Sequence, residues 1–163
     1  MWKTIALFLI GGVLGVALGF AAGIFVYPYI FLADIVAAET VADRETRPVV
    51  ARGSFIHANP ADPVHYGSGE VTLFEGLVHL EDDFEVGPGP KFHVYLVPKT
   101  GITRSADVEG TMYVDLGRLR AFKGSQSFPV PAGVELEQFG SVVIWCERFG
   151  VLISPATLDF EAS

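Results

Sequence analysis

The chain has 163 residues, a formal net charge of −8 and a single cysteine, Cys146, in "SVVIWCERFG". One cysteine excludes an intrachain disulfide, a dithiol switch and an iron–sulfur cage, and with no Cys-x-x-Cys-His motif there is no covalently attached c-type haem. All 19 acidic residues and all but one of the 11 basic residues follow Ala33, so that part of the chain is acidic and repels phosphate backbones, which argues against nucleic acid as a partner.

Residues 4–32, "TIALFLIGGVLGVALGFAAGIFVYPYIFL", carry no charged side chain, and about 20 apolar residues suffice for a membrane-spanning helix. The expected span runs from Ile5 to Val26, about 33 Å at ~1.5 Å per residue. Trp2 at one end and Tyr27 with Tyr29 at the other suit the headgroup level, and Pro28 ends or kinks the helix. Lys3 precedes the span while Asp34, Glu39 and Asp43 follow it. The positive-inside bias therefore predicts a single-pass protein of the cell membrane, with a cytoplasmic N-terminus and an extracytoplasmic domain, periplasmic or extracellular. Val36-Ala37-Ala38 would also satisfy a signal-peptidase rule, but the apolar stretch is about twice the usual h-region, which favours a retained signal-anchor. Gly11, Gly15, Gly19 and Gly23 recur every fourth residue, the small-xxx-small spacing that predicts a homodimer through one helix face.

The expected organisation is a transmembrane anchor at 1–33, a tether at 34–51 and one β-domain at 52–163. The domain reads as short alternating apolar runs broken by Gly and Pro. "EVTLF" (70–74) and "LVHL" (77–80) flank Glu75-Gly76, a two-residue hairpin turn. "KFHVYLVP" (91–98) follows the "GPGP" breaker, then come "TMYVDL" (111–116), "QSFPV" (126–130) as a short or edge piece because of Pro129, "VVIWC" (142–146), and "GVLIS" (150–154) as its hairpin partner. Seven or eight such strands predict an all-β fold, an antiparallel sandwich or barrel.

Six stretches, in order, resemble the DM13 domain family: "GSF" (53–55), "HYGSGEVTLFEG" (65–76), "GPKFHVYL" (89–96), "DLGRL" (115–119), "KGSQSFPVPAGV" (123–134) and "SVVIWCERFGVLISPATL" (141–158). The resemblance covers roughly 52–160. It implies a β-sandwich related to the DOMON domains, which bind haem or sugars, and a role in electron transfer, with the cysteine matching Cys146 as the proposed redox residue. Lys91 stands where the family usually carries an acidic residue, so no role for that carboxylate transfers to this chain.

On a strand, Val142, Ile144 and Cys146 share one face and Val143 and Trp145 the other. Both faces are apolar, which predicts a central strand with a shielded thiol. Free cysteine is often plain core, yet an unpaired thiol in an oxidising compartment is exposed to oxidation and cross-linking. Cys146 is thus a candidate bare redox thiol or a thiolate ligand to haem or a metal. His65 and His93, both inside the family-like motifs, are the candidate partners, with Trp145 beside the thiol as a further cofactor contact or as core. Phe128, Phe139 and Phe149 are expected in the core. Met112 could be an axial ligand, though core filling is the better reading. Copper is disfavoured because no histidine follows Cys146, as the tight loop of a blue-copper site would need. The acidic loops at 81–83 and 106–110 read as solvated rather than as calcium sites. Electron transfer or binding is expected rather than enzymatic turnover. The rival reading is a non-catalytic envelope module for a protein or glycan, with Cys146 as packing.

Overall fold

The computed structural model describes residues 1–161. Helix α1, Trp2–Tyr27, continues as a single π-helical turn, Pro28–Leu32. Pro28 has no amide hydrogen for the helical ladder, and a one-residue slip in bonding at this point is the local consequence. The helical run has a mean hydropathy of 2.4, and none of its apolar window is buried against the rest of the chain. It is long and apolar enough to cross a membrane.

Among the described residues eleven strands follow, almost all antiparallel. They are β1 Val36–Ala38, β2 Val49–Phe55, β3 Gly67–Ser68, β4 Glu70–Phe74, β5 Leu77–Leu80, β6 Glu85–Val86, β7 Phe92–Val97, β8 Val114–Arg118, β9 Lys123–Pro129, β10 Ser141–Cys146 and β11 Val151–Phe160. Glu75 and Gly76 close the β4–β5 hairpin as expected, with Gly76 at φ +72°, a left-handed position that glycine occupies without steric cost. The count exceeds the seven or eight expected because β1, β3 and β6, at two or three residues, are too short to show a period of two.

The strands join in one hydrogen-bonded path, β3-β6-β9-β5-β4-β2-β11-β10-β7-β8, with β1 pairing in parallel on β9. The pairings form one connected path, and the expected sandwich is not established by them. The curvature of the path follows from chain connectivity. β8 and β9 lie seven strand spacings apart on this path, about 33 Å in a flat sheet. Only residues 119–122 join them, and that short link reaches at most about 18 Å. The sheet therefore has to curl back on itself, and the space it encloses is the core.

Strand β10 is buried along its whole length. Val142, Ile144 and Cys146 face the main core with Phe92, Val94 and Leu96 of β7. Val143 and Trp145 face a second cluster with Tyr95 and Val97 of β7, Leu152 of β11, and Ile102 and Val108 from the excursion at 98–113. Both faces of β10 are covered, as its uninterrupted apolar sequence predicts. Phe128 is core and Phe139 packs against it. Phe149 is 48% exposed and Met112 87% exposed, so neither fills the core, and Met112 is no axial ligand there. The strand expected at 111–116 begins only at Val114, which leaves Met112 outside the paired register.

The segment read as a tether, 34–51, is bound to the sheet instead of spanning free space. The Arg120 guanidinium donates to both Glu39 carboxylate oxygens at 2.7 and 2.8 Å, and the Ser127 amide donates to the same carboxylate at 2.9 Å. These bonds hold β1 on β9, and β2 already starts at Val49. Small, charged residues look like linker by composition. Distant partners, Arg120 and the Ser127 amide, give Glu39 its structural task.

The acidic loops are tied internally rather than simply solvated. Glu81 accepts from Arg44 at 2.8 Å. Asp107 accepts from Lys99 at 2.7 Å and from the amides of Thr103 and Arg104, and these contacts, the Lys99 ammonium first among them, hold its carboxyl at about 2. A carboxyl with a depressed folded pKa contributes stability that is complete above its ordinary value near 3.9 and is lost as pH falls through the folded one. The 98–113 excursion should accordingly loosen between about pH 4 and pH 2, exposing Trp145. Trp145 fluorescence should report this step in the wild type, and Asp107→Asn should remove it. A pH-independent spectrum over that window in the wild type would show that Asp107 does not secure the excursion.

Candidate functional site

The lone thiol sits where β10 runs out. Beyond Cys146 the chain turns sharply, with the Cys146 carbonyl accepting from the amides of Phe149 (3.3 Å) and Gly150 (2.9 Å). The same turn brings the amides of Arg148 and Phe149 towards Sγ, where they favour the thiolate. Burial has the larger effect and pushes the thiol pKa up. Sγ also donates to the Pro90 carbonyl at 3.3 Å, and the residue is 2% exposed.

Pro90 belongs to the "GPGP" loop that precedes β7. This loop lies close over the site because Gly89 has no side chain: a β-carbon there would overlap the Phe92 ring. Lys91 follows in a left-handed conformation, φ +54°. Its carbonyl accepts from the Glu147 amide at 3.1 Å, and its ammonium meets the Glu147 carboxylate at 2.8 Å. Lys91 therefore staples the loop to the exit of β10.

Cys146 opens onto a cavity of about 50 Å³ walled by Tyr29, Val64, His65, residues 88–90, Phe92 and Phe149. The structure thus brings His65 and Cys146 to one cavity. His65 is held from behind, since its Nδ1 lies 2.7 Å from Asp62 Oδ2 and the Asp62 carboxylate also accepts from the amides of Val64 and His65. The His65 contact is the largest of the effects that hold Asp62 at about 2. Asp62 and Tyr29 escaped the sequence reading. Asp62 was detectable from the Asp-x-x-His spacing in "ADPVHY", whereas nothing local connects Tyr29 to a thiol 117 positions away.

His93 and Trp145 are placed elsewhere. Trp145 is opposite His93 across the β7–β10 ladder, whereas Cys146 is opposite Phe92. Strand alternation sends these pairs to opposite faces. His93 Nδ1 lies 3.0 Å from Asp115 and Nε2 lies 3.1 Å from Glu147. Trp145 stacks with Tyr95, which in turn stacks on Tyr113 at a centroid distance of 4.3 Å. Neither residue lines the cysteine cavity. His79 is buried against Ser127 and His57 bonds the Asp62 carbonyl, both structural contacts. His65 also borders a cleft of about 400 Å³ between the 58–65 loop and residues 103–105.

This geometry decides what Cys146 can hold. A cavity of about 50 Å³ accommodates a water molecule or one added oxygen, but pockets for cofactor-sized ligands run to several hundred Å³. A haem ligated by Cys146 does not fit this packing. Among the described residues no group of three or more His, Cys, Asp or Glu side chains is arranged to hold a metal ion.

No curated protein and no solved structure matches the chain. The family described as "Electron transfer DM13" matches residues 61–158, which takes in Asp62, His65, the "GPGP" loop and Cys146. With more than half of the chain inside that match, this protein belongs to the DM13 electron-transfer family.

Proposed function

We propose that the protein is a membrane-anchored, extracytoplasmic electron-transfer module in which Cys146 works as a bare thiol. The observation that carries this reading is the setting of the chain's one cysteine: a small cavity, two backbone amides facing Sγ, and an aspartate-held histidine lining the same cavity. Such a cavity suits the one-oxygen change from thiol to sulfenic acid, the reversible first step of cysteine oxidation. The anchor reading is supported by the uncharged apolar run 4–32, and the orientation by Lys3 before that run and acidic residues after it. Self-association through Gly11, Gly15, Gly19 and Gly23 belongs to the same proposal and rests on their spacing.

One experiment tests the redox centre. The purified protein, expressed with haem available, should show no Soret band, and mild peroxide should convert Cys146 in the folded state to a sulfenate trapped by a dimedone-type probe. A Soret band lost in Cys146→Ser would replace the bare thiol with a ligand. The orientation is checked separately, by a C-terminal reporter that works only outside the cytoplasm.

A second reading has its own support. The Sγ–Pro90 hydrogen bond and the 2% exposure are what a purely structural cysteine would show. On that reading the module binds a protein or glycan, and the thiol resists peroxide and alkylation until the chain unfolds.

A further inference from the structure

Strand β11 begins at Val151, but its pairing with β2 begins only at Ala156. Residues 151–153 therefore lie beside β10 on one edge, and among the described residues no strand covers the other. The 58–65 loop and residues 103–105 stand over that bare edge and leave the cleft of about 400 Å³ between them, a size that takes a metabolite-sized ligand. Its side chains offer mainly donors. Asp62 is the one acid among the lining residues, and its carboxylate is filled by the His65 ring and two amides. Asn59 accepts from the Ala61 amide through Oδ1 at 3.2 Å, which leaves its own amide hydrogens to donate. Ser105 Oγ accepts from the Leu152 amide at 3.0 Å, so its hydroxyl hydrogen is available too. Arg104 supplies the charge. Its side chain is 78% exposed, and its contact with Asp107, at 3.8 Å, is beyond hydrogen-bond reach. That carboxylate is already taken by Lys99 at 2.7 Å and by two amides. In a chain of net charge −8, a guanidinium with no close carboxylate beside a donor-lined cleft is a place for an external anion. No Phe, Tyr or Trp lines the cleft, so a ligand held by ring stacking has no platform there. Ala58 and the strand segment 151–153 suit a short aliphatic body instead.

We propose that this cleft binds a small aliphatic carboxylic acid as its anion, with the carboxylate on Arg104, Asn59 and Ser105 donating to it, and the chain against 151–153. The guanidinium fork matches the two oxygens of a carboxylate, and the neutral donors fix its orientation. The site needs no redox role for Cys146. His65 walls both the cleft and the cysteine cavity and is the side chain that the two spaces share.

The test uses the full-length protein in phosphatidylcholine nanodiscs with its Val, Leu and Ile methyl groups labelled for NMR. It is titrated with butyrate and, separately, with butyramide, which has the same chain but no charge. Butyrate should shift the methyl signals of Val151, Leu152 and Ile153 saturably, with a millimolar dissociation constant, while the methyls of α1 stay in place. Using butyramide, or replacing Arg104 in Arg104→Gln, should each weaken binding about tenfold or more, the loss expected when a charged hydrogen-bonding partner is removed. Arg104 is exposed, so the variant should fold, and unshifted methyl signals in the main core check that it has. Arg52→Gln removes an exposed cation that does not line the cleft and should bind butyrate as the wild type does. No saturable shift at tens of millimolar butyrate would overturn the site. Equal binding of butyramide would overturn the anion, and undiminished binding by Arg104→Gln would overturn Arg104 as its holder. An equal loss in Arg52→Gln would reduce the effect to long-range attraction and overturn the proposal as well. Each of these results is read without the thiol, so the peroxide test of Cys146 stands or fails separately.

Discussion

Replacing Cys146 by serine should abolish peroxide-dependent sulfenate formation completely, because no other residue in the chain carries a thiol. The same change should cost about 1 to 3 kcal/mol of stability, since the hydroxyl is smaller, more polar and set among apolar neighbours. The Pro90 carbonyl that now accepts from Sγ at 3.3 Å lessens this cost if Oγ can reach it. Chemical denaturation gives the stability term, and trapping with the dimedone-type probe gives the chemistry. The two readouts are independent, which matters here. A packing cysteine predicts the stability loss alone, with a wild-type thiol that already failed to react. A redox cysteine predicts both, starting from a reactive wild type.

Phe92→Ala should have the largest effect on the fold near the site, destabilising it by about 3 to 5 kcal/mol. Phe92 is buried at the start of β7, packs edge-on against Phe122 with ring centroids 5.7 Å apart, and supports Gly89 from below. It also walls the cysteine cavity. Removing its ring therefore enlarges that cavity, and the folded variant should show a faster rate of thiol alkylation than the wild type. The comparison is made at a denaturant concentration where both proteins remain folded, with Phe122→Ala as the reference. That variant loses the other ring of the pair, which does not line the cavity. Equal alkylation rates in the two variants would mean that general loosening, and not the wall beside the thiol, controls access.

The two histidine candidates show how local sequence and tertiary structure divide the work. Both lay in family-like motifs, and on sequence they could not be ranked. The structure separates them through alternation on β7 and β10: Phe92 and Cys146 point into the main core, and His93 and Trp145 point to the opposite face. His65 shares a cavity with the thiol although it is 81 positions away, because the loop before β3 packs against the "GPGP" turn at Gly87. The loop also buries no apolar stripe, so no periodicity in its sequence could announce its position. Lys91 shows the same dependence. As a departure from the family pattern it had no evident role, and its partner Glu147 becomes visible only when the exit of β10 and the entry of β7 are placed side by side.

What the sequence determined by itself follows from short-range physics. An uncharged run of apolar residues makes a helix suited to a membrane wherever it is found. Alternation and turn residues specify strands such as Glu70–Phe74 and Leu77–Leu80 with the hairpin between them, and the doubly apolar Ser141–Cys146 declares itself a covered strand. Tertiary structure alone decided the rest. It bound the apparent tether to β9 through Arg120 and Glu39, joined eleven strands into one curled sheet, put Met112 in solvent, and reduced the space beside Cys146 to about 50 Å³. These outcomes depend on contacts between residues tens of positions apart, and such contacts are set by chain closure and packing, which leave no periodic trace in any local window.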